Sequence, residues 1–149
     1  MTETVHGTAI VVGTTGILIR GPSGAGKSSL AAALLDHAAS HDEFAALVAD
    51  DRVALRVGHG RLIARGNDRT HGLVEVRGRG AMRRATIIEA VIRLIVDFVP
   101  QANLDRYPAD TELLFEIMNL ILPRQPVPSG STRSLDLVLA ALHGTRADL

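Results

Sequence analysis

An α/β fold is predicted for this chain by three observations. A short apolar strand, Ile17-Leu18-Ile19, runs into the glycine loop Gly21-Pro22-Ser23-Gly24-Ala25-Gly26-Lys27-Ser28-Ser29. An Ala- and Leu-rich helical stretch follows at once, and a further apolar run, Phe44–Ala49, stops at Asp50-Asp51. Strand, glycine loop and helix in that order bring backbone amides and a helix N-terminus together on an anion. At 149 residues, 46% of them hydrophobic, the chain has the size and composition of a single domain, 1–149, that buries its own core.

Each element has its own signal. Residues 5–12 and 17–20 read as two strands joined by a turn at Gly13-Thr14-Thr15-Gly16, a hairpin placed ahead of the loop. From Ser28 to about Ala39 the pattern is helical. Phe44–Ala49 reads as a buried strand whose C-terminal end carries Asp50 and Asp51, where an α/β protein places its site. Residues 53–57 and 61–64 flank Gly58-His59-Gly60 as a second hairpin. Leu73–Gly80 alternates and then breaks on Gly78 and Gly80, a strand entering a permissive loop. Residues 87–99 contain a strand; 112–122 fits either a helix or a strand, and Pro123, Pro126 and Pro128 are expected to end it. A last helix, Ser134–His143, closes on Gly144.

Composition narrows the class. A formal net charge of zero with mixed signs gives no electrostatic reason to expect nucleic acid or a membrane surface as partner. No apolar stretch reaches the roughly 20 residues a membrane helix needs, and MTETVHG lacks the layout of a signal peptide, so a cytoplasmic protein is expected. Cysteine is absent, which removes disulfides and thiolate metal sites. The chain has 15 arginines and one lysine, Lys27. A compact ammonium on a flexible stem suits a phosphate cradle better than a planar guanidinium.

Gly21, Gly26, Lys27 and Ser28 meet the spacing G-x-x-x-x-G-K-S in full. In a strand-to-helix context this predicts a nucleotide-phosphate cradle, with Lys27 on the β/γ-phosphates and Ser28 on Mg²⁺. Asp50 and Asp51 fit the companion acidic position, one for the metal or its waters and the other for the proton of an attacking hydroxyl. Glu75 and Arg77 share a strand face and read as a metal-and-phosphate pair or as a surface ion pair. Asp105-Arg106 and His6 have the same two readings. His37 and His41 have the i, i+4 spacing of metal ligands but no third ligand, and read as a solvated helix face.

Taken in order, Val5-His6-Gly7, the hairpin, GPSGAGKSS, Ala49–Val53, Glu75–Gly80, Asp105-Arg106 and the late Pro126-Val127 and Arg133-Ser134-Leu135 resemble the C-terminal catalytic domain of HPr kinase/phosphorylase over about residues 5–143. The resemblance implies a P-loop domain of the phosphoenolpyruvate carboxykinase-like type, with a mixed sheet, a hairpin before the loop and flanking helices. It implies an enzyme that uses ATP or pyrophosphate with Mg²⁺ to phosphorylate a serine of the phosphocarrier protein HPr, that reverses this with inorganic phosphate, and that assembles as a hexamer. By position, Gly21 to Ser29 hold the phosphates, Ser28 and Glu75 serve the metal, Asp51 exchanges the serine proton beside Asp50, and His6 and Arg106 fall on the remaining catalytic positions. The N-terminal domain of longer members is expected to be absent.

Two other functions fit a P-loop of this size. A small-molecule kinase would need a lid and an acceptor pocket, for which the chain has little room. A non-catalytic nucleotide sensor would not need Asp50, Asp51 and Glu75.

Overall fold

A computed structural model describes residues 1–66, 72–76, 78–144 and 146–147. Strands β1 (Thr2–Val12) and β2 (Thr15–Arg20) form the first hairpin, and α1 (Lys27–Ser40) follows the glycine loop. Then come β3 (Ala45–Gly58), β4 (Arg61–Arg65), β5 (Leu73–Val76), β6 (Gly80–Arg83) and β7 (Glu89–Val99). Two 3-10 turns, Gln101–Asn103 and Asp110–Leu113, lead to β8 (Leu114–Ile117), β9 (Leu120–Pro128) and α2 (Arg133–His143).

Seven strands make one mixed sheet in the order β2-β1-β3-β4-β7-β9-β8, and a parallel pairing of β2 with β7 closes β1, β2, β7, β4 and β3 into a circuit. β5 and β6 form a separate two-stranded sheet. Period-two alternation sends side chains to two cores. Ile10, Val12, Ile17, Ile19, Leu94 and Val96 face α1, whose Leu30, Ala31, Leu34, Leu35 and Ala38 repeat at helical spacing; Leu18, Ile95, Leu55 and Leu62 pack on the other side. Each large apolar side chain so buried contributes roughly 1.5–3 kcal/mol.

Several expectations change. Thr15 and Gly16 belong to β2 rather than to the turn: Gly16 pairs with Val11 of β1 and Ile92 of β7, and only glycine fits there, since a Cβ would lie 2.2 Å from the Val91 carbonyl oxygen. The runs 44–49 and 53–57 are one strand, so Asp50 and Asp51 lie in the middle of β3 and not at its end. β1 starts at Thr2 and supplies backbone partners as far as Arg56, which carries β3 past the two carboxylates. Leu73–Gly80 does break before its glycines, with β5 ending at Val76, and the addition is β6, which begins at Gly80 and pairs back on β5.

The segment 112–122 is a hairpin, with Met118 and Asn119 turning at φ of 49° and 66°. Its second strand runs through all three prolines. β9 pairs with β8 only up to Pro123 and with β7 from Arg124 onward, so Pro126 and Pro128 occupy a half whose other edge has no strand partner among the described residues. The hairpin around His59-Gly60 and the two helices form within a residue or two of their expected bounds.

Candidate active site

The loop between β2 and α1 is shaped by contacts that only glycine permits. A Cβ on Gly21 would stand 2.8 Å from Cβ of Phe98, and Gly26, at φ 112°, forms the start of α1 without a side-chain cap. The first amides of α1 therefore remain available to an anion. Lys27 is only 8% exposed. Its Nζ donates to the carbonyl oxygens of Gly21 at 2.8 Å and Pro22 at 3.1 Å, which holds the ammonium against the loop it would serve.

Two irregularities in β3 deliver the carboxylates. Ala9 pairs with Ala49 while Ile10 pairs with Leu47, so Val48 is an extra residue, a β-bulge. Val48 and Ala49 both enter the second core, and Asp50 turns instead toward the glycine loop. It accepts from Thr8 Oγ1 at 2.7 Å and from Ser28 Oγ at 2.9 and 3.1 Å. Asp51 then takes φ of 75°, a conformation that non-glycine residues rarely adopt and that Asp tolerates better than most. Ala49 and Val53 on either side are buried, yet the Asp51 side chain is 69% exposed and lies 3.2 Å from His6 Nδ1. Consecutive residues of one strand thus reach the same pocket.

That pocket has a volume of about 600 Å³ and is lined by His6, Thr8, Asp50, Asp51 and Glu75 facing Ser23, Gly24 and Gly26 to Ser29 of the loop. Of the expected site residues, Gly21, Pro22 and Ala25 shape the loop without lining the cavity, and Arg77 lies outside the described residues. Arg106 is not brought here: it lines a different cavity, with its guanidinium 5.5 Å from the Tyr107 ring. Among the described residues no three His, Asp or Glu side chains gather closely enough to hold a metal unaided. Hard oxygen donors are nevertheless together at Ser28 and Asp50, with Glu75 on the same wall. Such a sparse set fits Mg²⁺, which keeps waters and substrate phosphates in its shell.

Thr8 was missed by sequence reading, although it follows His6 at the period-two spacing of β1 and so shares its face. Also missed was a buried ionic link at the root of the loop. Asp97 accepts from Arg20 Nε and Nη2, both at 2.8 Å, and from Arg124 Nε at 2.6 Å. Burial pushes the Asp97 carboxyl upward, but the hydrogen bonds and charges of the two arginines outweigh it and hold its pKa below the ordinary value. Arg20 also lies 4.1 Å over the Phe115 ring.

Known proteins share this architecture. The HPr(Ser) kinase/phosphatase of Coxiella burnetii superposes with a TM-score of 0.75 at 23% identity, covering 94% of this chain and 87% of that one, which shows the mixed α/β fold. The HPr kinase/phosphorylase of Lactobacillus acidophilus is 30% identical over 149 residues, 92% of this chain and 44% of that protein. The corresponding protein of Clostridium beijerinckii is 32% identical over 147 residues, 92% of this chain and 46% of its own. The chain therefore spans less than half the length of these curated relatives. No described helix is long and apolar enough to cross a membrane. The family model described as HPr Serine kinase C-terminal domain matches residues 1–146, leaving almost none of the sequence outside it: the chain belongs to the HPr serine kinase C-terminal domain family.

Proposed function

We propose that the chain is a single catalytic domain of the phosphoenolpyruvate carboxykinase-like P-loop type. It acts in the cytoplasm as a protein-serine kinase that moves a phosphoryl group from ATP, or from pyrophosphate, to a serine of HPr. The observation that carries this reading is the placement of Asp51, exposed and beside His6, in the same pocket as Lys27 and Ser28. A nucleotide-binding module needs the loop; it does not need a free carboxylate across the pocket from it.

The chemistry assigned to each residue follows from its position. The loop amides and Lys27 hold the donor's phosphates, and Lys27 exchanges its two carbonyl contacts for phosphate oxygens. Ser28, Asp50 directly or through waters, and Glu75 would hold Mg²⁺, which when bound would supply charge neutralisation on the transferred group. Asp51 accepts the proton of the serine hydroxyl as the oxygen–phosphorus bond forms and the bond to the leaving phosphate breaks, and returns it in the reverse reaction. His6, 3.2 Å away, orients that carboxylate and stabilises its charge when protonated. Arg106 receives no step, because the described fold keeps it out of the pocket. Inorganic phosphate would reverse the transfer through the same groups, and assembly as a hexamer belongs to this reading through the family.

The test is to incubate the protein with HPr, Mg²⁺ and either ATP or pyrophosphate, follow the mass of HPr, and then add inorganic phosphate. A gain of one phosphoryl on serine, lost on adding phosphate, is expected. Nucleotide binding without any gain on HPr would overturn the assignment and favour another acceptor or a sensor.

A further inference from the structure

A second cavity, of about 800 Å³, lies between β7, the connection 104–113, β9 and α2. Its walls differ in kind from those of the P-loop pocket. Leu94, Leu104, Leu113, Leu137 and Ala141 give it an apolar surface, and four arginines, Arg106, Arg124, Arg133 and Arg146, also line it. Asp105 is the one carboxylate lining it among the described residues, and its close approach to Glu112 raises the pKa of that neighbouring carboxyl.

Two of the arginines are committed to the fold. Arg124 donates to Asp97 and to the Glu112 carbonyl oxygen, and Arg146 to Asp110 and the Pro108 carbonyl oxygen. Arg106 and Arg133 form no ion pair among the described residues. They come from different elements, the 104–113 connection and the first residue of α2, and meet at one cavity. Guanidinium groups recognise carboxylate and phosphate oxygens in pairs of parallel hydrogen bonds. A cavity of this size with an apolar lining and a few directed polar groups has the character of a small-ligand site.

We propose that this cavity binds a small organic anion, a carboxylate or phosphate carried on an apolar body, with the anionic group held by Arg106 and Arg133 and the apolar part laid against Leu104, Leu113 and Leu137. The site is separate from the P-loop pocket, and its occupancy does not depend on the kinase reading.

Calorimetric titration with phenylacetate, phenyl phosphate and inorganic phosphate tests this, since the first two share an apolar body and the third has none. Saturable binding of at least one phenyl compound is expected, at least tenfold tighter than inorganic phosphate. Which phenyl compound binds more tightly distinguishes a carboxylate ligand from a phosphate ester. Arg106→Ala combined with Arg133→Ala should weaken that binding at least tenfold, whereas Lys27→Ala should leave it within twofold. Ala141→Glu, at an exposed position of α2 that lines the cavity, should also weaken it by charge repulsion. Absence of saturable binding, equal binding of inorganic phosphate, or binding lost in Lys27→Ala and kept in the arginine and Ala141 variants would each overturn the proposal.

Discussion

Two carboxylate environments flank the glycine loop, and they are built to opposite ends. Where β2, β7 and β9 meet, Asp97 has a side chain only 13% exposed and is locked between Arg20 and Arg124. In the bulged middle of β3, Asp51 is 69% exposed and has the half-exposed His6 as its one ion-pair partner among the described residues, while Asp50 is held by two hydroxyl groups. Arg20 directly precedes Gly21, so the first region anchors the end of β2 from which the loop springs. The second faces the loop across an open pocket. Charge that is buried and fully paired serves the fold, and charge that is exposed and lightly held remains free to bind metal or exchange a proton.

The sharpest division between the regions comes from the loop itself. Lys27→Ala should lower phosphoryl transfer to HPr by about 10³-fold, since one preorganised cation on the transferred group is removed. Its urea midpoint should stay close to that of the parent, because Nζ bonds only loop carbonyls. If Lys27→Ala unfolded the protein as readily as changes at Asp97, the contrast would fail. Asp51→Asn should cost about 10²-fold in transfer and leave nucleotide affinity within about threefold, as for a general base that does not hold the donor. Equal losses in binding and transfer would move Asp51 into the nucleotide site.

Asp97→Asn should do the reverse. It leaves Arg20 and Arg124 facing an uncharged amide, and with those arginines 24% and 20% exposed the cost should be roughly 2 kcal/mol of stability. The pH dependence has a definite sign. The folded pKa of Asp97 is depressed, so its contribution is complete above the unfolded carboxylate pKa, near 3.8, and is lost as pH falls from there through the folded value. Urea midpoints measured against pH should therefore converge for parent and variant at the acid end. A constant gap down to the lowest pH would show that the link acts through packing rather than charge.

The two regions also differ in how well the sequence announces them. The glycine loop is contiguous, and Lys27 bonds the backbone of the loop it belongs to, so spacing alone brings these residues together in a reader's eye. The link Arg20–Asp97–Arg124 joins residues 77 and 27 positions apart, and only the parallel pairings of β7 with β2 and β9 create it. Asp50 and Asp51 fall between these cases. As adjacent carboxylates they stand out in the sequence, but their setting does not. A run that stops being apolar reads as a strand that stops, whereas β1 continues the pairing and the bulge at Val48 turns Asp50 to the loop. In the same way Pro126 and Pro128 read as breakers until β9 is seen to pair there with β7 alone. Met118-Asn119 carries no glycine to advertise its turn.

Thr8→Val gives the smallest effect and separates support from catalysis within the second region. Thr8 is 1% exposed, and its hydroxyl donates to Asp50 at 2.7 Å. Valine keeps the shape and removes the donor, so stability should fall by about 1 kcal/mol. The informative readout is the Mg²⁺ requirement. With one of its two hydroxyl donors gone, Asp50 is oriented only by Ser28, which on this reading also serves the metal. The Mg²⁺ concentration for half-maximal transfer should rise by up to about tenfold, as when an outer partner of a metal ligand is lost, while turnover at saturating Mg²⁺ stays near that of the parent. Thr8→Ser, which keeps the donor, should restore the parent's Mg²⁺ dependence. If instead turnover fell and the Mg²⁺ dependence did not change, Asp50 would act on the acceptor rather than on the metal, and the division of labour between Asp50 and Asp51 would have to be redrawn.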